Sequence, residues 1–135
     1  MLQIDKKTAL LQLGQFLQQF GTELPIKNSA VLHNDLFFDR MLGHIETAQH
    51  YNGWFTPEQM RFAVQSWAAA LTESNLDTWL KGYDFSATSP KTIGLVLAGN
   101  IPLVGFHDVL SVLVSGHHAL VKTSSNDQKM VPFLL

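Results

Sequence analysis

Asn100 and the run Lys122-Thr123-Ser124-Ser125 are the residues of this chain whose types could do chemistry together. A side-chain amide offers two N–H donors to an oxygen that gains negative charge. An ammonium with neighbouring hydroxyls suits a phosphate or a ribose. Each group directly follows a short apolar run. Ile93-Gly94-Leu95-Val96-Leu97-Ala98 leads into Gly99-Asn100-Ile101-Pro102, and Ala119-Leu120-Val121 leads into Lys122. Runs of about 4–8 apolar residues bounded by Gly and Pro predict strands buried on both faces.

Residues 103–114 between the two runs have the length of a helix. Asp108, Ser111 and Ser115 make one narrow polar stripe on it, and Leu103, Phe106, Leu110 and Leu113 make the apolar side, widened by Val109 and Val112. Gly116 suits the left-handed residue that stops a helix. Strand, helix and strand then form a βαβ unit, whose strands run parallel. Their C-terminal ends share the sheet edge where open α/β sheets bind ligands. Asn100, Lys122, Thr123 and Ser124 thereby converge beside two helix N-termini, a setting that favours anionic groups. Plainer roles stand beside these: Asn100 as a helix N-cap or turn residue, Lys122 as a solvated lysine at a strand end. Gly94 and Gly99 have the spacing of a Walker loop, but Asn100-Ile101 stands where Lys-Ser or Lys-Thr is needed. No Gly-x-Gly-x-x-Gly occurs.

The elements that must position these groups fill a chain of 135 residues, one domain's worth. Apolar residues make up 46% and charged ones 15%, with a formal charge of −2. No basic arm points to nucleic acid, no segment has the length of a membrane span, and the start lacks a signal-peptide pattern. Cysteine is absent, which rules out disulfides, zinc-thiolate sites and thiol catalysis within these residues and fits a cytoplasmic protein. The six histidines contain no i, i+4 pair; Glu46 and His50 have that spacing but suit an ordinary surface pair, so no metal is expected. Trp54, Trp67 and Trp79 suit core or interface anchors.

Residues 1–89 carry the periodicity of helices. Asp5 can cap a first helix with Leu10, Leu13, Leu17 and Phe20 on one face, stopping at Gly21. Residues 23–31 lack a period and contain Pro25, as a loop would. Asn34 or Asp35 begins a second helix with Phe38, Met41, Ile45 and Ala48 inward, and Asn52-Gly53 is a turn signal after it. Thr56-Pro57-Glu58-Gln59 is a capping box with proline at the first helical position, and Phe55 with Met60 stands where a hydrophobic staple would be. That helix extends to about Leu71, with Met60, Ala63, Val64 and Trp67 inward. Ser74 or Asn75 caps a short helix ended by Gly82, and residues 83–90 link it to the first strand. Asn126 or Asp127 can cap a last helix that Pro132 bends or ends.

The run Gly94-Leu95-Val96-Leu97-Ala98-Gly99-Asn100-Ile101-Pro102, followed by Ala119-Leu120-Val121-Lys122-Thr123-Ser124-Ser125, resembles the front of the aldehyde dehydrogenase fold. That superfamily has an Asn-x-Pro turn after one strand and Lys-Pro-Ser after the next. The acyl-CoA reductase branch, the long-chain fatty acyl-CoA reductases of the bacterial luminescence type, is the nearer match, since the proline is replaced there as Thr123 replaces it here. Residues 90–135 carry the resemblance most specifically; Asn52-Gly53-Trp54-Phe55-Thr56 is also similar to that branch. The resemblance implies an α/β fold, with a helical N-terminal region at 1–89 and the incomplete start of a Rossmann-like, aldehyde-dehydrogenase-like cofactor domain at 90–135. It implies NADPH-dependent reduction of a fatty acyl-CoA thioester to an aldehyde through a cysteine-bound acyl group. Asn100 would donate to the oxyanion, and Lys122 would bind the adenosine ribose or its 2′-phosphate, with Thr123 and Ser124 beside it.

The nucleophilic cysteine, the later strands and the expected glutamate are missing from these residues. A parallel pair alone is a poor sheet, because such strands need both faces covered. The expectation is therefore the N-terminal part of a longer enzyme, inactive alone and prone to form homo-oligomers by sharing strands. Two alternatives stay open: a non-enzymatic helical module that completes a partner's sheet, and a relative acting on an acyl phosphate or aldehyde.

Overall fold

The computed structural model describes the backbone of residues 3–135 and the side chains of residues 6–135. Four helices come first: α1 (Gln3–Gln18), α2 (Asn34–Thr47, continued by a 3-10 turn at Ala48–His50), α3 (Pro57–Ala70) and α4 (Glu73–Leu80). A βαβ unit follows, made of β1 (Thr92–Val96), α5 (Phe106–Val114) and β2 (His118–Lys122), and α6 (Met130–Leu134) closes the described chain. α1 begins before Asp5, the expected cap, whose side chain lies outside the described residues.

The helices form where their caps and apolar faces agree. Thr56 accepts the Gln59 N–H at 3.3 Å and Pro57 opens α3, while Phe55 and Met60 on either side of that cap are both fully buried. α1 packs along α3, and Leu17, Phe20, Met41, Ile45, Met60 and Val64 join in one core with no exposed surface worth the name. α4 is capped by Thr72, which accepts the Asn75 N–H at 3.4 Å, rather than by Ser74 or Asn75. Asn75 instead donates its side-chain amide to the Ala69 carbonyl at 2.9 Å and so ties α4 back to α3. α2 begins at Asn34 behind a left-handed His33, and the Asn34 amide exchanges hydrogen bonds of 2.9 and 2.7 Å with the Gln19 amide instead of capping its own helix.

The two strands are parallel, in a register that places Thr92 opposite His118 and Val96 opposite Lys122. α5 crosses over one face, and the Phe106 ring meets Trp67 edge-on at 5.0 Å, joining the crossover helix to the helical region through a shared core. The expected strands buried on both faces are not found. Ile93, Leu95, Ala119 and Val121 are half-buried toward α5, whereas Val96 is 81% and Leu120 67% exposed on the other face. The reason is that α5 covers one side of this sheet and no described element covers the second.

α5 also starts later than its apolar run suggests. Leu103 has φ 61°, a left-handed conformation that breaks the helix, although its side chain is buried in the core. The helix therefore begins at Phe106 behind Gly105. Leu113, expected on the apolar side, is exposed. Gly116 takes φ 89°, the left-handed stop that the sequence anticipates. Pro132 lies in the first turn of α6, where the backbone N–H has no helical partner to lose, and the helix passes through it. Trp54 is exposed and belongs to no core, while Trp67 and Trp79 are half-buried against Phe106 and His107.

Candidate functional site

The parallel register brings the C-terminal ends of β1 and β2 to one edge. Beyond the strands, the Leu97 N–H donates to the Lys122 carbonyl at 3.0 Å and prolongs the ladder by one bond. Gly99 then comes so close to Ser124 that a Cβ on it would stand 2.5 Å from both the Cβ and the Oγ of Ser124. The loop that carries Asn100 and the loop that carries Thr123 and Ser124 are thus packed against each other. Only a residue without a side chain fits at the contact.

Asn100 itself is exposed, in a bend, and Gly105 rather than Asn100 caps α5. The turns over residues 101–105, closed by Val104 N–H to Ile101 O and Phe106 N–H to Leu103 O, stand between Asn100 and the helix. The expected position of the amide at a helix N-terminus is corrected accordingly. Lys122 is exposed at the end of β2 opposite Val96, Thr123 and Ser124 are half-buried, and Ser125 is exposed. Among the described residues, neither the Asn100 amide nor the Lys122 ammonium has a hydrogen-bond partner within the chain. Both are available to something else.

The loop after β2 is held by its own short side chains. Ser124 Oγ accepts the Asn126 N–H at 3.2 Å, the Ser124 carbonyl accepts the Asp127 N–H at 3.1 Å, and Asp127 Oδ1 accepts the Met130 N–H at 3.2 Å. Asp127 thereby serves the start of α6, as its type suggests. It is 4% exposed, and burial raises its carboxyl pKa above the ordinary range against the pull of the Met130 and Lys129 backbone N–H groups. The Tyr51 phenol, whose oxygen is buried, is likewise pushed up by burial and then by Asp127. Lys129 holds its ammonium 4.8 Å from the centre of the Tyr51 ring.

Asn52, a residue that spacing alone does not mark as part of any site, reaches both loops. Its Nδ2 donates to the Gly99 carbonyl and to the Asn126 carbonyl, each at 3.2 Å. Its Oδ1 accepts the Trp54 N–H at 3.0 Å. Both amide hydrogens and the amide oxygen are used, and the rotated amide would set oxygen against two carbonyls, so the network determines the orientation. The backbone is equally engaged, with Asn52 N–H on Ala48 O and Phe55 N–H on Asn52 O, between a buried Ala48 and a buried Phe55. A turn of the helical region thus grips the two strand-end loops.

Elsewhere, a cleft of about 650 Å³ lies at the other end of the sheet, where Lys6, Leu10, Leu110, Gly116 and His118 face it. It is separate from the edge that bears Asn100 and Lys122. No group of three or more His, Asp or Glu side chains among the described residues has the arrangement of a metal site, and no described helix is long and apolar enough to cross a membrane.

The family model of acyl-CoA reductase (LuxC) matches residues 35–135, a span that contains Asn52, Asn100 and Lys122. No curated protein and no solved structure matches the chain.

Proposed function

The chain belongs to the acyl-CoA reductase (LuxC) family, and on that premise we propose that it is the N-terminal part of an NADPH-dependent reductase that converts a fatty acyl-CoA thioester to an aldehyde. Residues 1–89 are then its helical front. Residues 90–135 are the start of an aldehyde-dehydrogenase-like, Rossmann-like cofactor domain in the cytoplasm. The family match across the βαβ unit carries this reading.

In this reading the acyl group is carried on a cysteine. The chain has none, so the nucleophile stands outside these 135 residues and they do not catalyse alone. Asn100 directs its free amide at the thioester carbonyl oxygen and stabilises the negative charge that grows there as the carbonyl carbon becomes tetrahedral. A donor already in place needs no reorganisation at that moment. Lys122 and the hydroxyls of Thr123 and Ser124 bind the adenosine ribose or its 2′-phosphate. The fit rests on an exposed, unengaged ammonium at a strand end and on two half-buried hydroxyl residues directly after it. The cofactor, when bound, supplies hydride; the residues of this chain supply position and charge.

Asn100→Ala in the intact reductase tests the reading. Loss of an oxyanion donor lowers turnover by about 10²–10³, so the reductase rate falls by that factor while cofactor affinity, measured by fluorescence titration, stays near the parent value. An unaltered rate removes Asn100 from the mechanism.

A further inference from the structure

Three loops meet at Asn52, and they are the turn before α3, the turn after β1 and the turn after β2. The Gly99 carbonyl that Asn52 holds belongs to the peptide group whose N–H is that of Asn100. Fixing that carbonyl fixes the plane of the peptide bond from which Asn100 departs. The Asn126 carbonyl that Asn52 holds with its other hydrogen lies in the turn closed by Ser124 Oγ, beside the residue that fills the space over Gly99. One carboxamide, satisfied at every polar atom, therefore sets the separation of the two loops and the direction of the first.

We propose that Asn52 is a positioning residue for the reaction: it clamps the loops after β1 and β2 so that the Asn100 amide stands at a fixed angle to the Lys122–Ser124 segment. The inference rests on the role assigned to Asn100 under the proposed function. Asn52 touches neither substrate nor cofactor in this account and acts through Gly99 and Asn126. The exposed position of Asn100 makes such a clamp necessary, because no hydrogen bond of its own side chain holds it among the described residues.

Asn52→Asp isolates the clamp. The carboxylate keeps an oxygen for the Trp54 N–H, so the turn before α3 survives, but both donors are lost and an oxygen faces two carbonyl oxygens. In the intact reductase, misplacement of a catalytic group by a fraction of an ångström to an ångström lowers turnover by about 10–10². A double-mutant cycle with Asn100→Ala decides what that loss means. If Asn52 acts through Asn100, the double variant turns over little more slowly than Asn100→Ala alone. Losses that multiply independently overturn the inference and leave the role of Asn100 standing. An unaltered rate in Asn100→Ala overturns that role instead, and with it the purpose of the clamp.

Amide hydrogen exchange on the intact reductase reads the clamp without any catalysis. Asn52→Asp speeds exchange in residues 99–105 and 123–128 and leaves α1 and α3 as protected as in the parent. Exchange unchanged in both loops overturns the inference. Asn52→Ser, which keeps an oxygen for Trp54 but is too short to reach two carbonyls, repeats the measurement if the aspartate variant fails to fold.

Discussion

Gly99→Ala puts the closest contact of the site under load. An ideal Cβ at residue 99 lies 2.5 Å from Ser124 Cβ and Oγ and 3.3 Å from Asn126 Cβ. Carbon atoms rest at about 3.5–4.0 Å, so the two loops must part by about 1 Å. Overpacking of this kind costs about 1–3 kcal/mol. The same displacement stretches the 3.2 Å bonds from Asn52 beyond hydrogen-bonding range, with about 0.5–1.5 kcal/mol at stake in each. The lower chain entropy of unfolded alanine returns about 0.4–1 kcal/mol. A net loss of about 3 kcal/mol follows. Urea unfolding followed by circular dichroism reads it as a midpoint lowered by about 1.5 M at an ordinary urea slope of about 2 kcal/mol per molar. Ser124→Gly removes both clashing atoms, so in that background alanine at 99 costs under about 1 kcal/mol, and the difference is the coupling energy of the contact. An equal penalty with and without the serine side chain would refute the close approach, and with it the account of how the two loops are registered.

Gly116→Ala is expected to destabilise the chain by about 1–2 kcal/mol, through its φ of 89° rather than through crowding, since the nearest atom to the added Cβ is Thr88 Cγ2 at 3.4 Å. Gly116→Asn, which tolerates that conformation better, should recover part of the loss, and an alanine variant as stable as the parent would show that the turn is not what ends α5. His44, whose ring packs 4.6 Å from that of Phe133, has its pKa lowered first by burial and then by Arg40 and Lys129. From the ordinary value of 6.5 down to its lower folded value, the unfolded chain takes up a proton that the folded chain refuses. Stability is therefore whole above 6.5 and falls as the pH drops through that window. Denaturation of the parent and His44→Gln between about pH 5 and 7.5 checks this: the parent should lose stability relative to the variant as the solution is acidified, and parallel curves would refute it.

The parts of the fold that are legible in the sequence are those whose causes are local. Thr56, Pro57 and the Phe55–Met60 pair announce α3, because a cap, a proline and a staple all act within a few residues. Gly and Pro punctuation with short β-branched runs announces β1 and β2, and a crossover of helical length compels them to be parallel. Where two local signals compete, the sequence is ambiguous. Thr72, Ser74 and Asn75 are all caps by type, and Asn75 is drawn off by the Ala69 carbonyl. Leu103 continues an apolar period yet lies in a left-handed turn, since burial of its side chain does not require helical backbone. The exposed face of the sheet is not legible at all, because alternating exposure depends on what stands over each face. Asn52 is the sharpest case. Its partners are 47 and 74 residues away, and nothing in a turn dipeptide reveals contacts at that range.

Asn52 is followed directly by Gly53, the neighbour that least obstructs ring closure of an asparagine side chain onto the next backbone nitrogen. That closure expels ammonia and on hydrolysis leaves an acidic residue, most of it with the main chain rerouted through the side-chain carbon. To begin, the carboxamide must let go of Gly99, Asn126 and Trp54 together. The same three bonds that hold the turns in register thus also slow the chemical ageing of the molecule, and a sample that has loosened there will convert itself, without any engineering, into a mixture of the rerouted residue and ordinary aspartate.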